Sequence, residues 1–177
     1  MTRFDIVVAA DEAGGIGKEG EIPWHLPGDL AFLKRITVTP REEGKRNAVI
    51  MGRKTWETIP PRFQPLPRRL NAVVTRQDDY AAPDGVVVAQ SLEGALEAVA
   101  ARAVDRIFVL GGGEIYRLAL EMPQCDTVYL TRVEGKFPAD ARFPALDEDW
   151  RLVEESERHE ENGVGYRFQT WRRSTKM

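Results

Sequence analysis

Short runs of apolar and often β-branched residues recur along the chain between residues 5 and 133. Several are apolar on consecutive residues and not on alternate ones, which is typical of strands covered on both faces. Each run is bounded by Gly, Pro, Asp or charged residues. The pattern predicts strands over Asp5–Ala10, Ala48–Met51, Leu70–Thr75, Val86–Ala89, Arg106–Leu110 and Thr127–Val133.

Segments with helical periodicity lie between these strands. The apolar residues of 92–99 recur at i, i+3, i+4 and i+7 behind Ser91, which is suited to a helix N-cap. Further helices are predicted over residues 27–36 and 114–121 and in a short stretch after Gly52. Strands that alternate with helices indicate βαβ units and therefore a largely parallel sheet.

The C-terminal part has a different pattern. Trp150–Glu157 and Val164–Trp171 flank a polar stretch that ends in Asn162-Gly163, a strong hairpin signal. We therefore predict an α/β fold in which an antiparallel C-terminal hairpin is added at one edge of a mainly parallel sheet. The stretches 38–46 and 60–68 are predicted surface loops. Since neither is long or polar enough to be a linker, we expect one domain over residues 1–177.

Composition and charge narrow the class of protein. A length of 177 residues is usual for one domain. Lys and Arg number 25 against 28 Asp and Glu, so no basic excess favours nucleic acid or an anionic membrane. The lone Cys125 excludes an intramolecular disulfide and a cysteine-based metal site. The N-terminal apolar run is too short for a signal peptide, so we expect a cytoplasmic protein. We also expect a monomer, because no exposed heptad or apolar patch is readable.

One acidic residue lies where an apolar one is expected. On a helical wheel of residues 27–36, Asp29 falls in the middle of the arc formed by Leu30, Phe32, Leu33 and Ile36. An ionised carboxylate there should be costly. It is either a first-turn acid that interacts with the helix dipole, or a carboxylate at a pocket wall that awaits a cationic or amidine-like ligand.

Two strand-to-helix junctions could bind an anion. Val49–Trp56 runs from a strand through a glycine to two cations and a hydroxyl, and Arg76 follows the next strand. Arg106–Tyr116 passes from a strand through three glycines to a helix. Backbone amides at such positions suit a phosphate or diphosphate. Neither segment is a Walker A loop or a G-x-G-x-x-G fingerprint, so a basic helix start and a tight turn remain the alternatives.

A glycine-rich loop precedes Asp29. Gly14, Gly15, Gly17 and Gly20 lie in a segment that closes on Pro23-Trp24. Such a loop is suited to a lid that opens and closes over a site, although an ordinary long loop is the alternative.

Together these segments resemble dihydrofolate reductases almost from end to end. The motifs are Ile16-Gly17, Ile22–Pro27, Asp29-Leu30, Val49–Trp56, Leu66–Arg69, Leu110–Tyr116 and Tyr129–Thr131. The resemblance implies an eight-stranded, mainly parallel sheet with four helices and an antiparallel end strand. It also implies hydride transfer from NADPH to C6 of 7,8-dihydrofolate, with a proton delivered to N5.

The resemblance implies a substrate site. Asp29 matches the carboxylate that accepts hydrogen bonds from the pterin 2-amino group and N3, and Thr131 matches the hydroxyl that supports it. Trp24 matches an indole that holds an ordered water. Arg69 matches the arginine that binds the glutamate α-carboxylate. The other implied substrate contacts are Val7, Val8, Ile22, Leu30, Leu33, Ile59 and Leu110.

The resemblance also implies a cofactor site. The nicotinamide contacts would be Ala9, Ile16 and Gly17. The diphosphate loop would be Gly112, Gly113, Glu114 and Ile115, followed by Tyr116, with a cis bond between Gly111 and Gly112. The ribose and 2′-phosphate contacts would be Gly52, Arg53, Lys54, Thr55, Thr75 and Arg76. Three cations at that end favour NADPH over NADH.

The implied chemistry requires a proton at N5 of the substrate. No histidine is placed by motif to donate it, and Asp29 is the only ionisable group that we expect at the pterin. Our hypothesis is that Asp29 orients the ring and makes N5 more basic, while water beneath the lid supplies the proton. Leu33 stands where the family often has Phe, and Ile22 where it has Met or Leu. These departures leave the reaction class intact.

Two other functions remain open at this point. A reductase of a ribosylated pyrimidine in riboflavin biosynthesis shares the general fold but would not need Trp24 and Asp29. A non-catalytic NADPH-binding module would retain Arg53, Gly112 and Arg76 but would tolerate the loss of Asp29.

Overall fold

The apolar runs of the sequence form the strands of the main sheet. A computed structural model describes residues 2–174; residues 1 and 175–177 of the predicted domain lie outside the described part. All six predicted strands are present, with ends that move by at most two residues. In chain order the strands are β1 (Phe4–Ala10), β2 (Gly15–Gly17), β3 (Asn47–Gly52), β4 (Arg69–Val74), β5 (Val87–Ala89), β6 (Ile107–Val109), β7 (Cys125–Val133), β8 (Ala141–Arg142), β9 (Trp150–Glu155), β10 (His159–Glu161) and β11 (Val164–Arg173).

The helices also lie where the periodicity predicts them. They are α1 (Pro27–Val38), α2 (Arg53–Thr58), α3 (Leu92–Ala100) and α4 (Gly113–Glu121), with a 3₁₀ turn at Pro61–Phe63. The predicted N-cap of α3 is confirmed, because the Gly94 N–H donates to Ser91 Oγ at 3.0 Å. Helix α1 continues two residues beyond its predicted end. None of the helices within residues 2–174 is long and apolar enough to span a membrane.

The main sheet has the order β10-β11-β7-β1-β6-β3-β4-β5. The six strands β7, β1, β6, β3, β4 and β5 run parallel to one another. Strand β11 is antiparallel to β7. Both β9 and β10 pair with the outer edge of β11 and share one position in the sheet. The sheet therefore has eight strand positions, and the predicted parallel body with an antiparallel C-terminal edge is confirmed.

The C-terminal hairpin differs from its prediction in one detail. Its turn lies at Asn162-Gly163, where both residues have positive φ, as an Asn-Gly turn requires. The predicted strand over 150–157 ends at Glu155. Ser156 then forms hydrogen bonds with both backbone groups of Phe168. Its N–H donates to the Phe168 carbonyl at 2.8 Å, and its Oγ accepts from the Phe168 N–H at 2.9 Å. A side chain thus replaces one ladder bond and separates β9 from β10.

Helices cover both faces of the sheet, which explains the uninterrupted apolar runs. Along β3, Ala48 and Ile50 belong to the core under α3 and α4, and Val49 and Met51 belong to the core on the α1 side. Because β1, β6, β3 and β4 are parallel, the segments that follow their carboxyl ends meet at one edge. These segments contain the glycine-rich loop, residues 111–113, the start of α2 and Thr75-Arg76.

Candidate active site

A cavity of about 420 Å³ lies at this carboxyl edge of the sheet. Its walls include all the predicted pterin-side residues except Arg69 and Thr131, namely Val7, Val8, Ile22, Trp24, Asp29, Leu30, Leu33, Ile59 and Leu110. They also include the predicted cofactor-side residues Ala9, Ile16, Gly17, Lys54, Thr55, Gly112, Gly113 and Tyr116. The structure therefore brings together most of the residues that the resemblance implied.

Asp29 lies in the first turn of α1, at the wall of this cavity. Thr131 of β7 donates from Oγ1 to Asp29 Oδ1 at 2.6 Å, and among the described residues this is the hydrogen bond that the carboxylate accepts. Helix α1 has no side-chain cap. Burial raises the pKa of Asp29, the Thr131 hydrogen bond opposes the rise, and the charge of Glu161 adds to it. Of the two interpretations of this acid, the geometry favours the carboxylate at a pocket wall.

Hydrogen bonds to Asp11 connect the glycine-rich loop to the rest of the fold. This fully buried carboxylate accepts from the backbone N–H groups of Ala13 at 2.9 Å, Gly15 at 2.8 Å and Phe137 at 2.8 Å. Burial alone would raise the pKa of Asp11, but the three backbone hydrogen bonds lower it below its usual value. Further along the loop, Trp24 packs edge-on against Phe137 with ring centres 5.3 Å apart.

The loop is also paired with a distant segment that the sequence did not reveal. Strand β2 pairs with β8, and Asp140 Oδ2 accepts from the Glu19 N–H at 2.9 Å. Glu21 and Asp140 line the cavity as well, so ionisable groups other than Asp29 are present in its walls. No local pattern links these residues, since 121 positions separate Glu19 from Asp140.

The three consecutive glycines form a wall made of backbone. The cis bond between Gly111 and Gly112 that the resemblance implies is present. The Gly52 N–H donates to the Gly111 carbonyl at 2.8 Å, and α4 begins after Gly112 without a side-chain cap. A Cβ on Gly112 would lie 3.2 Å from Thr55 Oγ1. Glycine at this position avoids that contact, and the first amides of α4 have no partner within the helix, which suits a diphosphate.

Of the predicted ribose and 2′-phosphate contacts, Lys54 and Thr55 line the cavity, whereas Gly52, Arg53, Thr75 and Arg76 lie outside its wall. Strands β3 and β4 are paired with Gly52 opposite Val74, so residues 52–55 and 75–76 follow adjacent strand ends. Arg53 forms an ion pair with Glu57 at 2.9 Å. Arg76, which is exposed, forms one with Glu114 at 3.6 Å. Ile115 does not line the cavity but lies under Gly52, where an added Cβ would be 3.3 Å from its Cγ1.

Arg69 lies beyond the end of the cavity and is held in place from two sides. Its Nη1 donates to Thr37 Oγ1 at 2.9 Å, and its Nε donates to the Pro67 carbonyl at 3.0 Å. Thr37 is one turn beyond Leu33, which lines the cavity. Burial lowers the pKa of Arg69, and the charge of Arg68 adds to this effect. The guanidinium is therefore fixed at the end of α1 that lies farthest from Asp29.

Comparison with known proteins identifies the family. A family model described as dihydrofolate reductase matches residues 3–173. The bifunctional dihydrofolate reductase-thymidylate synthase of Daucus carota is 48% identical over 151 residues, which cover 82% of this chain and 29% of that protein. The dihydrofolate reductase of Aedes albopictus is 36% identical over 186 residues, covering 99% of this chain and 100% of the relative.

Solved structures agree with the sequence comparison. The Schistosoma mansoni dihydrofolate reductase has a TM-score of 0.86 and 33% sequence identity, covering 98% of this chain and 99% of that one. The chain thus spans less than a third of the carrot relative but the full length of the mosquito one. On these findings the chain belongs to the dihydrofolate reductase family of oxidoreductases, as its motifs predicted.

Proposed function

We propose that this chain reduces 7,8-dihydrofolate to 5,6,7,8-tetrahydrofolate with NADPH, by hydride transfer to C6 and protonation of N5. We further propose that it does so as a cytoplasmic monomer that supplies one-carbon metabolism. The observation that carries the proposal is the Asp29 carboxylate, which is half-buried at the wall of an apolar cavity with one hydroxyl donor. Such a group is stabilised by a ligand that brings further donors.

The substrate would lie with its pterin edge on Asp29 and its tail toward Arg69. The 2-amino group and N3 form an amidine-like pair of donors, which a carboxylate can accept side by side. The apolar residues Leu30, Leu33 and Ile59 would contact the ring and the aminobenzoyl group. At the far end of α1, the fixed guanidinium of Arg69 would bind the glutamate α-carboxylate through two hydrogen bonds.

The residues at the other end of the cavity fit NADPH. The backbone amides of residues 112–114 at the start of α4 would hold its diphosphate. Arg53, Thr75 and Arg76 would contact the 2′-phosphate, and Ala9, Ile16 and Gly17 the nicotinamide. When bound, NADPH supplies the hydride. Arg53 and Arg76 already face acidic partners, so a phosphate would compete with Glu57 and Glu114 for them.

The contribution of Asp29 to proton delivery is electrostatic. Above its raised pKa the carboxylate is ionised, and its negative charge makes a nearby ring nitrogen more basic. Trp24 of the lid lines the cavity, and its indole would hold a water beside the ring. The paired strands β2 and β8 hold the lid against the body of the protein and would exclude bulk water from the reacting atoms.

The test is to mix the protein with NADPH and dihydrofolate and to follow the near-ultraviolet absorbance of NADPH. A fall that depends on dihydrofolate supports the proposal. No fall with dihydrofolate but a fall with a ribosylated aminopyrimidine would identify a pyrimidine reductase instead. Tight NADPH binding without consumption with either compound would identify a binding module.

A further inference from the structure

The C-terminal hairpin contacts the helix turn that carries Asp29. Glu161, the last residue of β10, accepts from the Gly28 N–H at 2.8 Å and from the Tyr166 hydroxyl at 2.7 Å, both at Oε1. Gly28 directly precedes Asp29. Its N–H lies in the first turn of α1, where backbone N–H groups have no carbonyl partner one turn earlier in the helix. Glu161 thus supplies from another element the cap that α1 lacks.

Close packing leaves this turn little freedom to move relative to the hairpin. A Cβ on Gly28 would lie 2.5 Å from the Tyr166 hydroxyl and 2.8 Å from Glu161 Oε1. One turn further along α1, the Phe32 ring stacks on Phe168 of β11 at 4.2 Å. Before the helix, Asn162 Nδ2 donates to the His25 carbonyl at 2.7 Å. The hairpin therefore holds the segment around Asp29 at three points.

The charge of Glu161 also acts on Asp29. Hydrogen bonds from Tyr166 and Gly28 favour the ionised form of Glu161 and lower its pKa, and the charge of that form raises the pKa of Asp29. The other groups that face Asp29 are the phenols of Tyr116 from α4 and Tyr166 from β11, and burial raises the pKa of both. Thr131 of β7 carries no charge. Elsewhere in the cavity wall lie Glu21, Lys54 and Asp140, and His25 and His159 act on Glu161.

We propose that Glu161 is a positioning residue for Asp29: its carboxylate fixes the first turn of α1 through the Gly28 N–H, and its negative charge opposes a second negative charge on Asp29. The kinetic consequence rests on the proposed function, but the effect on Asp29 does not. In the absence of Glu161, Asp29 would ionise at lower pH and would be held less firmly.

Two variants separate the hydrogen bond from the charge. Glu161→Gln keeps an oxygen that can accept from Gly28 and Tyr166 but removes the charge. Glu161→Ala removes both. The matched control is Glu160→Gln, which removes one negative charge from the neighbouring residue of the same strand, where the carboxylate pairs with Arg158. We would follow the carboxyl carbon of Asp29 by ¹³C NMR titration in the ligand-free protein, and kcat/KM for dihydrofolate against pH.

We expect the NMR midpoint of Asp29 to fall in Glu161→Gln and Glu161→Ala but not in Glu160→Gln. We expect the acid limb of kcat/KM to move to lower pH in parallel. Only Glu161→Ala should also lose about tenfold in kcat/KM at its optimum, the loss expected for one hydrogen bond to a charged acceptor.

An Asp29 midpoint that is unchanged in Glu161→Gln, or that moves equally in Glu160→Gln, would overturn the inference whatever the turnover. Equal kcat/KM in the Gln and Ala variants would overturn the positioning role. A shifted midpoint in a protein that does not reduce dihydrofolate would support the inference and contradict the proposed function.

Discussion

Asp11 and Asp29 are carboxylates at the two ends of the glycine-rich loop, and their surroundings shift their pKa values in opposite directions. Asp11 begins the loop and accepts three backbone N–H groups, and its pKa is lowered. Asp29 follows the loop and accepts one hydroxyl, and its pKa is raised. Burial raises both pKa values, so the difference lies mainly in the number of donors, and the charges of Arg142 near Asp11 and Glu161 near Asp29 add to it.

The comparison distinguishes a structural acid from an acid available to a ligand. A carboxylate whose oxygens are occupied by the backbone stabilises a loop and has little capacity left for a ligand. A carboxylate with one partner destabilises the fold when ionised and gains when a ligand supplies the missing donors. Burial alone, therefore, does not identify a functional acid in this protein; the supply of donors does.

The largest effect is expected from Asp29→Asn, which should lower kcat/KM for dihydrofolate at neutral pH by about a hundredfold or more. The amide carries no charge and cannot accept two hydrogen bonds side by side. Because the pKa of Asp29 is raised in the folded state, ionisation of Asp29 lowers the free energy of unfolding above that pKa. The variant should therefore unfold at the same or a higher temperature at neutral pH.

Kinetics over a range of pH and thermal unfolding check this prediction. The acid limb of the parent profile should be absent in the variant, and NADPH should still bind. Near-normal turnover at neutral pH would show that Asp29 does not have the proposed role.

The opposite outcome is expected from Asp11→Asn. Its NH₂ group would face the Phe137 N–H and leave a buried donor without an acceptor, at a cost of about 2 kcal/mol in the free energy of unfolding. That corresponds to a fall of about 4–8 °C in Tm for a chain of this size. Since the pKa of Asp11 is lowered in the fold, the parent's advantage is present at neutral pH and is lost as the pH falls through that pKa.

Thermal unfolding at neutral and acidic pH measures this difference, with Asp79→Asn at an exposed position as the control. An Asp11→Asn protein as stable as the parent at neutral pH would contradict the structural assignment of Asp11.

Arg69 is a buried cation near the other end of α1. Arg69→Lys should raise KM for dihydrofolate by about tenfold, because an ammonium cannot bond to Thr37, Pro67 and a carboxylate in one plane. A dihydropterin without the aminobenzoyl-glutamate tail should be reduced equally well by variant and parent. Arg68→Lys, one residue away, is the control. A similar loss with both substrates would indicate that Arg69 supports the fold and not the tail.

The smallest effect is expected at an exposed cation. Arg76→Ala should raise KM for NADPH by about threefold at low salt and less at high salt, because exposed charges are screened. KM for NADH, which lacks the 2′-phosphate, should not change. Measurement of KM for both cofactors at two salt concentrations decides this. An equal rise for NADH would place Arg76 away from the 2′-phosphate.

The fold was predictable from the sequence where the signals are local. The runs of β1 and β3 are apolar on consecutive residues, Ser91 caps α3, and Asn162-Gly163 forms the hairpin turn. The break between β9 and β10 was not predictable, because it depends on Ser156 meeting Phe168 across two strands.

Of the residues at the site, some have a local signal in the sequence and others do not. Asp29 was visible as an acid on an apolar helix face, and residues 111–113 as glycines at a strand end. Asp140 and Glu161 were not visible, because their partners lie in distant parts of the chain. The tertiary pairing of β8 with β2 brings Asp140 to the cavity, and the contact of the hairpin with α1 brings Glu161 to the turn that carries Asp29.

A crystal structure with folate and NADP⁺ tests the central claim most directly. We predict that the two Asp29 oxygens lie about 2.7–3.0 Å from the 2-amino group and N3 of the pterin, as charge-assisted hydrogen bonds require. A pterin bound elsewhere, or an Asp29 side chain turned away from it, would contradict the account.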